Sequence, residues 1–155
     1  MIIKTTTLVI LSFLILFSCK AQEKHSKMEK VESVLIAKGN LYGSGSEGIV
    51  EQNLIISNQK DWNDLLIKMD SINKVSNSFL ETNIDFSLFN VIAVFDKVRG
   101  SGGYSLNLNI VNDSENILIN TTYLSPKGIA NAIMTQPFCL VKISKTDLKV
   151  IFNSN

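Results

Sequence analysis

The histidine, arginine and cysteine side chains that most often support catalysis are few in this sequence. The chain of 155 residues contains a single histidine, His25, a single arginine, Arg99, and two cysteines, Cys19 and Cys139. A serine or cysteine nucleophile needs an imidazole base that is held in a fixed orientation. His25 lies in a strongly polar segment, where we expect a solvated side chain that nothing orients. The sequence therefore argues against a Ser–His or Cys–His catalytic pair.

The carboxylates that could act as acid and base are scattered. Asp85, Asp96, Asp113 and Glu115 lie near the ends of predicted strands, and two of them could meet in the fold as an acid–base pair, although their spacing does not indicate one. The chain has no CxxC or HExxH motif, and residues 112–115 lack the spacing of a calcium loop and are typical of a hairpin turn. We therefore predict no metal, no cofactor and no enzymatic activity.

The charge balance argues against nucleic-acid binding. Lys and Arg total 15 against 14 Asp and Glu, which gives a formal net charge of +1. Proteins that bind a duplex usually concentrate a basic excess on one face or arm. We therefore expect no nucleic-acid partner.

Residues 1–18 have the pattern of a secretory signal. Lys4 precedes an apolar run over residues 8–17 that is interrupted only by Ser12. As a helix this run would rise about 15 Å, roughly half of a bilayer core, so it is too short to span a membrane. A charged start followed by a short apolar run is typical of a signal peptide that is removed on export.

The end of this run, Leu16-Phe17-Ser18-Cys19, resembles the lipobox of bacterial lipoproteins, where cleavage leaves a cysteine that is then acylated. The resemblance implies lipidation of Cys19. The polar composition of the residues that follow predicts a tether over residues 19–30, and the chain length leaves room for a single domain over residues 31–155. We expect the lipid to hold the protein in the bacterial envelope, at the periplasmic face of the outer membrane. The alternative is an ordinary signal or short anchor with an incidental cysteine.

Cys139 has no disulfide partner if Cys19 carries lipid. It alternates with Val141 and Ile143, so these three side chains should share one face of a strand. A buried cysteine in apolar surroundings behaves as a small hydrophobic residue rather than as a nucleophile. We therefore predict that Cys139 is an inert core residue.

One amphipathic helix is predicted from about residue 59 to residue 72. Its apolar residues recur at i, i+3, i+4, i+7 and i+10, namely Trp62, Leu65, Leu66, Met69 and Ile72. This spacing places them on one face, which should pack on the core. Ser57 or Asn58 can cap the helix, and Lys60 and Asp64 form an i,i+4 pair on the solvent face.

The remaining periodicity predicts strands. Residues 91–95 are continuously apolar, which is typical of a central strand buried on both faces. Apolar and polar residues alternate over 104–110 and 117–123, so these segments should form a hairpin. Further strands are predicted at 31–37, 49–57, 137–144 and 149–153, the last two as a second hairpin. The expected fold is α+β, with a mainly antiparallel sheet of six to seven strands and the helix on one face.

A glycine-rich loop follows the central run and reads Arg99-Gly100-Ser101-Gly102-Gly103-Tyr104. It leads into a strand, so it lacks the helix of a P-loop or dinucleotide site. Two roles stay open. The glycines can permit a bulge or a left-handed conformation while Arg99 bonds to loop carbonyls or a carboxylate. Alternatively, the loop binds a partner.

An apolar central strand followed by Arg-x-x-Gly-Gly-Tyr resembles the C-terminal domain of the PrcB family, whose members are called protease complex subunits or protease-stability proteins. The likeness covers roughly residues 31–152, including the Trp62 helix, residues 84–87 and Thr135-Gln136-Pro137. Ser101 stands where we expect threonine in most relatives.

This resemblance implies a non-catalytic envelope lipoprotein that binds or stabilises an exported protein, with a protease as one candidate. Two surfaces are candidates for the contact. One is the glycine-rich loop, with Arg99, Gly100, Gly102, Gly103 and Tyr104 as the binding residues. The other is an open sheet edge that accepts a strand of the partner. The alternatives are a passive structural lipoprotein and a small-ligand-binding domain without a protease partner.

Overall fold

The computed structural model describes residues 28–113 and 115–154. In these residues eight strands form two four-stranded sheets, and one α-helix packs on one of them. The strands are β1 (Glu29–Lys30), β2 (Ser33–Leu41), β3 (Gln52–Ile56), β4 (Phe89–Phe95), β5 (Ser105–Asn112), β6 (Asn116–Leu124), β7 (Gln136–Ser144) and β8 (Lys149–Ser154). Helix α1 covers Gln59–Met69, and a 3₁₀ turn covers Val75–Ser78.

The two sheets are mainly antiparallel. Sheet A has the order β1-β5-β6-β8, and sheet B has the order β2-β7-β4-β3. Every neighbouring pair is antiparallel except β6 and β8, which are parallel. The predicted α+β class, with a mainly antiparallel sheet and one amphipathic helix on a face, is confirmed.

Helix α1, sheet B and sheet A are stacked as three layers that enclose two cores. Central strand β4 supplies alternate side chains to both. Val91, Ala93 and Phe95 pack in the core under α1, and Ile92 and Val94 pack in the core between the sheets. This alternation explains why the run over residues 91–95 is apolar without interruption: a helix covers one face of β4 and a second sheet covers the other.

Helix α1 forms as its periodicity predicts, but it ends earlier. The Asn58 side chain accepts the Asp61 N–H at 2.9 Å at the first turn. Trp62 is fully buried, and its indole N–H donates to the Thr82 carbonyl at 2.8 Å. The helix ends at Met69 rather than at residue 72, because the Asp70 carboxylate accepts both the N–H and the hydroxyl of Ser76 and turns the chain.

The predicted hairpin of residues 137–144 and 149–153 is wrong. Strands β7 and β8 run in opposite directions, but β7 lies in sheet B and β8 lies in sheet A beside β6. The connection carries the chain from one sheet to the facing one, and Lys145 N–H donates to the Leu88 carbonyl on the way. A turn signal specifies reversal of the chain and leaves the pairing partner open.

The predicted boundary between tether and domain at residue 31 stays a prediction, and the last two residues assigned to the tether pair with sheet A. Glu29 and Lys30 form β1, which pairs with Asn112 and Val111 of β5.

The predicted signal peptide, Cys19 and residues 19–27 lie outside the described residues. Within the described part of the chain, no helix is long and apolar enough to cross a bilayer.

Candidate functional site

Three connections meet at one end of the two sheets. Residues 42–51 join β2 to β3, residues 96–104 join β4 to β5, and residues 125–135 join β6 to β7. We call them the first, second and third loops, and together the three-loop end. The second loop contains the predicted partner-binding residues Arg99, Gly100, Gly102, Gly103 and Tyr104.

Arg99 is bound to a carboxylate of its own loop. Its Nε lies 2.7 Å from Asp96 Oδ2, and its terminal nitrogen lies 2.9 Å from Asp96 Oδ1. The exposed fraction is 2% for the Asp96 side chain and 22% for the Arg99 side chain. The hydrogen bond to Asp96 raises the pKa of Arg99 above its usual value. Of the two roles left open for Arg99, the structure therefore shows the bond to a carboxylate.

Tyr104 and Tyr123 complete this polar cluster. The guanidinium carbon of Arg99 lies 4.9 Å from the Tyr104 ring centroid, within the range of a cation–π contact. Burial raises the pKa of Tyr123, and nearby Asp96 and Glu51 raise it further. The second loop therefore presents a guanidinium whose charge is largely balanced before any partner arrives.

The base of the second loop is joined to β7 through a bulge. Asp96 N–H donates to the Pro137 carbonyl at 2.9 Å, and Arg99 exchanges two backbone hydrogen bonds with Thr135, at 2.7 and 3.1 Å. From residue 96 to residue 99 the second loop advances three residues, whereas the opposite segment advances only two, from residue 137 to residue 135. The second loop therefore contains one extra residue, which forms the bulge. Pro137 has no N–H for the Asp96 carbonyl, and the Gln136 amide Nε2 donates to that carbonyl at 2.9 Å instead.

The third loop packs on the glycines of the second. Gly102 N–H donates to the Asn131 carbonyl at 3.1 Å, and the Thr135 hydroxyl donates to the Ser101 carbonyl at 3.1 Å. Gly103 has a φ of 85°, and a Cβ built there would lie 2.7 Å from Pro126 Cβ. Gly103 is therefore required both by its backbone conformation and by the close approach of the third loop.

The first loop is attached through the same glutamine. Gln136 Nε2 also donates to the Ile49 carbonyl at 2.9 Å. Within the first loop, the buried Glu47 carboxylate accepts the Gly43 N–H at 2.7 Å. One buried side chain, Gln136, therefore connects the first loop to the strand ends that carry the second and third.

These loops expose several large apolar side chains among polar ones. Ile129 is fully exposed at 105% and Val50 at 69%, and four other large apolar side chains at this end are exposed, namely Tyr42, Leu124, Ile133 and Met134. An open depression of about 400 Å³ beside Gly102 and Gly103 is lined by Lys127 and Ile129 among others. Several large apolar side chains exposed at one end of a domain are a feature of many protein-interaction surfaces.

The other residues considered for chemistry are committed to the fold. Cys139 is buried between the sheets, and burial raises the pKa of its thiol to about 11. Hydrogen bonds from Ser87 lower the pKa of Asp85, and backbone hydrogen bonds from residues 116 and 115 lower the pKa of Asp113. Across residues 28–113 and 115–154, no group of three or more His, Cys, Asp or Glu side chains could hold a metal ion.

Sequence reasoning missed two parts of this site. The role of Gln136 is one of them, although a polar residue directly before a proline in a strand is a usable signal, since the missing N–H of the proline leaves a carbonyl of the neighbouring strand without its donor. The exposed Ile129, Ile133 and Met134 lie in a segment with neither a helix nor a strand period.

Comparisons with protein-family models, curated proteins and solved structures found no match to the chain.

Proposed function

We propose that this protein is a non-catalytic binding module of the bacterial envelope, lipidated at Cys19, that binds an exported protein through the three-loop end. The observation that carries the proposal is the exposure of Val50, Ile129, Ile133 and Met134 on loops held together by buried hydrogen bonds. Exposing large apolar side chains in water is unfavourable, and a partner that covers them recovers roughly 25 cal/mol per Å². Loops on a rigid scaffold also keep the entropy lost on binding small.

The position of the loops relative to the anchor supports this proposal. Strand β1 pairs with Asn112, whereas the second loop leads into Ser105 at the other end of β5. Seven residue steps along a strand span about 23 Å. A tether that enters at β1 would therefore present the three-loop end away from the lipid, where an exported protein has access.

The proposed class of partner comes from the PrcB-like pattern of the second loop and its flanking strands. We propose an exported protein that this chain binds or stabilises, with a protease as the leading candidate, at the periplasmic face of the outer membrane. The bound partner would contact Tyr104 and the glycines through the shape of the loop rather than through a free Arg99 charge, since Asp96 occupies the guanidinium.

The experiment that tests this proposal is affinity purification of the full lipidated chain from its native envelope in mild detergent, followed by mass spectrometry. Wild type is compared with Ile129→Asp on the third loop and with Ile67→Asp, a matched variant on the exposed side of α1 where Ile67 is 68% exposed. We expect an exported protein that is recovered with wild type and Ile67→Asp and lost with Ile129→Asp. Equal recovery with all three chains would contradict the proposal. A Cys19→Ala chain that still carries acyl groups would contradict the assigned anchor.

A further inference from the structure

The two sheets are closed along one side and open along the other. On the closed side, the chain passes from β1 in sheet A directly into β2 in sheet B, and Lys38 of β2 donates to the Asn107 side chain of β5. On the open side lie β3, at the edge of sheet B, and β8, at the edge of sheet A. Among the described residues, no strand pairs with β3 on its outer side.

The hydrogen-bond pattern shows which backbone groups of β3 face outward. The N–H of Asp96, the residue directly after β4, points to β7, because it donates to the Pro137 carbonyl. Backbone direction alternates along a strand, so the N–H and C=O of Phe95, Ala93 and Val91 point to β3. These three residues are opposite Gln52, Leu54 and Ile56, as the register of the two strands shows. It follows that the N–H and C=O of Asn53 and Ile55 point out of the sheet.

Strand β3 lacks the devices that protect other edges. Its five residues, Gln52–Ile56, contain no charge and no proline, and their register with β4 is unbroken. Strand β2 has a bulge between Leu35 and Ala37, and its Ile36 carbonyl accepts the Leu80 N–H. Strand β8 starts with a lysine. An uncharged edge with an unbroken register and an exposed apolar side chain, here Ile55 at 44%, favours pairing with another strand.

A second copy of this chain is a poor occupant for the edge. Two copies of β3 would pair about a two-fold axis at Leu54, and only Asn53 and Ile55 of each would exchange backbone bonds. The antiparallel arrangement would place the two three-loop ends at opposite ends of the paired strands, so their apolar side chains could not add to the interface. So few contacts bury far less than the ~1,200 Å² of a stable dimer.

A segment of the binding partner meets no such limit. Val50 is exposed at the end of the first loop, and β3 begins two residues later at Gln52. An extended chain that lies on the three-loop end can therefore continue along β3 and combine backbone hydrogen bonds with apolar contacts.

We propose that the outer edge of β3 accepts an extended segment of the partner protein, which pairs with the N–H and C=O groups of Asn53 and Ile55 and places an apolar side chain beside Ile55. This inference rests on the proposed function and specifies its geometry. Sheet B would then have five strands in the complex.

The test uses nine-residue random peptides, selected by display against the full lipidated chain in detergent. The selected peptide is titrated against wild type, Asn53→Pro, Ile55→Lys and the control Ile67→Lys. Proline at residue 53 removes an outward N–H and no bond to β4, and lysine at residue 55 places a charge on the edge without changing the backbone. We expect at least tenfold weaker binding to both edge variants, no change with the control, and slowed hydrogen exchange of the Asn53 and Ile55 amides in the complex.

Failure to select any peptide, equal binding to wild type and both edge variants, or exchange protection elsewhere would overturn the inference. The same edge variants in the envelope purification separate it from the proposed function. Recovery of the partner with Ile55→Lys but not with Ile129→Asp removes the strand pairing and keeps the three-loop end. Recovery with Ile129→Asp removes the proposed function itself.

Discussion

The side-chain amide of Gln136 donates the hydrogen bond to the Asp96 carbonyl that Pro137 cannot provide. Both Gln136 and Pro137 are buried at the start of β7, and the same Nε2 also donates to the Ile49 carbonyl. A buried carbonyl without a donor costs about 1–3 kcal/mol, so this amide stabilises the loops on both sides of it. The arrangement lets a proline sit in a central strand, where its missing N–H would otherwise be unfavourable.

Replacing Gln136 by leucine should lower the free energy of unfolding by roughly 2–4 kcal/mol, because two buried carbonyls lose their donor. Urea unfolding followed by circular dichroism measures the change. The control is the double variant Gln136→Leu/Pro137→Ala, in which alanine supplies a backbone N–H to Asp96. We expect it to be about 1 kcal/mol more stable than Gln136→Leu alone. No recovery in the double variant would contradict the role assigned to Gln136.

Replacing Arg99 by leucine should lower the free energy of unfolding by roughly 2–4 kcal/mol, because Asp96 is left as a buried carboxylate without its cation. Replacing both partners, as Asp96→Asn/Arg99→Leu, should cost clearly less than the sum of the two single changes. Thermal and urea unfolding of the four proteins supply this cycle. Strict additivity would show that the ion pair contributes nothing.

Because the Arg99 variant is expected to be less stable, loss of a bound partner from this variant alone reports on folding as well as on binding.

Gly103→Ala should destabilise the protein by about 1–3 kcal/mol, since the φ of 85° is unfavourable for alanine and its Cβ would meet Pro126. The matched control is Gly100→Ala in the same loop, where a Cβ would meet nothing within 4 Å and the backbone has no positive φ. We expect that variant to stay within about 0.5 kcal/mol of wild type. Equal melting temperatures for the two variants would contradict the conformational role of Gly103.

The thiol of Cys139 should make stability fall at high pH. Burial raises its pKa from 9.0 to about 11, so the folded state favours the neutral thiol. The resulting stabilisation is fully present below pH 9 and is lost as the pH rises toward 11. On the order of 2–3 kcal/mol is expected from such a shift. The measurement is the free energy of unfolding at pH 8 and pH 10.5, for wild type and Cys139→Ala. The same decrease in both would show that other groups cause it.

The elements that follow from the sequence are those set by local periodicity. The apolar residues spaced from Trp62 and the cap at Asn58 predict α1, and the alternation on both sides of residues 112–115 predicts the β5–β6 hairpin. The same reasoning predicts the wrong partner for β8. Whether this strand pairs with β7 or crosses to sheet A depends on which sheet face the rest of the fold leaves uncovered, and local periodicity does not contain that information. The apolar run of β4 signals two covered faces, and it does not say what covers them.

The candidate site was only half predictable. Arg99 and the glycines stand out in type and spacing, and one of the two roles considered for Arg99, a bond to a carboxylate, is the one observed. The contribution of Gln136 depends on a register between strands that lie 40 residues apart in the sequence, which local patterns do not encode. The exposure of Ile129 depends on how the third loop packs on Gly102, so the apolar surface emerges only with the tertiary structure.

The most direct test of the binding surface is site-specific photocrosslinking in living cells of the source organism. A photoreactive amino acid is placed at Ile129, at Ile133 or at Ile67 of the full chain, and crosslinked products are identified by mass spectrometry. All three side chains are exposed, but only the first two belong to the three-loop end. We expect the same exported protein to be crosslinked from residues 129 and 133 and not from residue 67. Crosslinks from neither loop position, or from all three alike, would contradict a specific partner at the three-loop end.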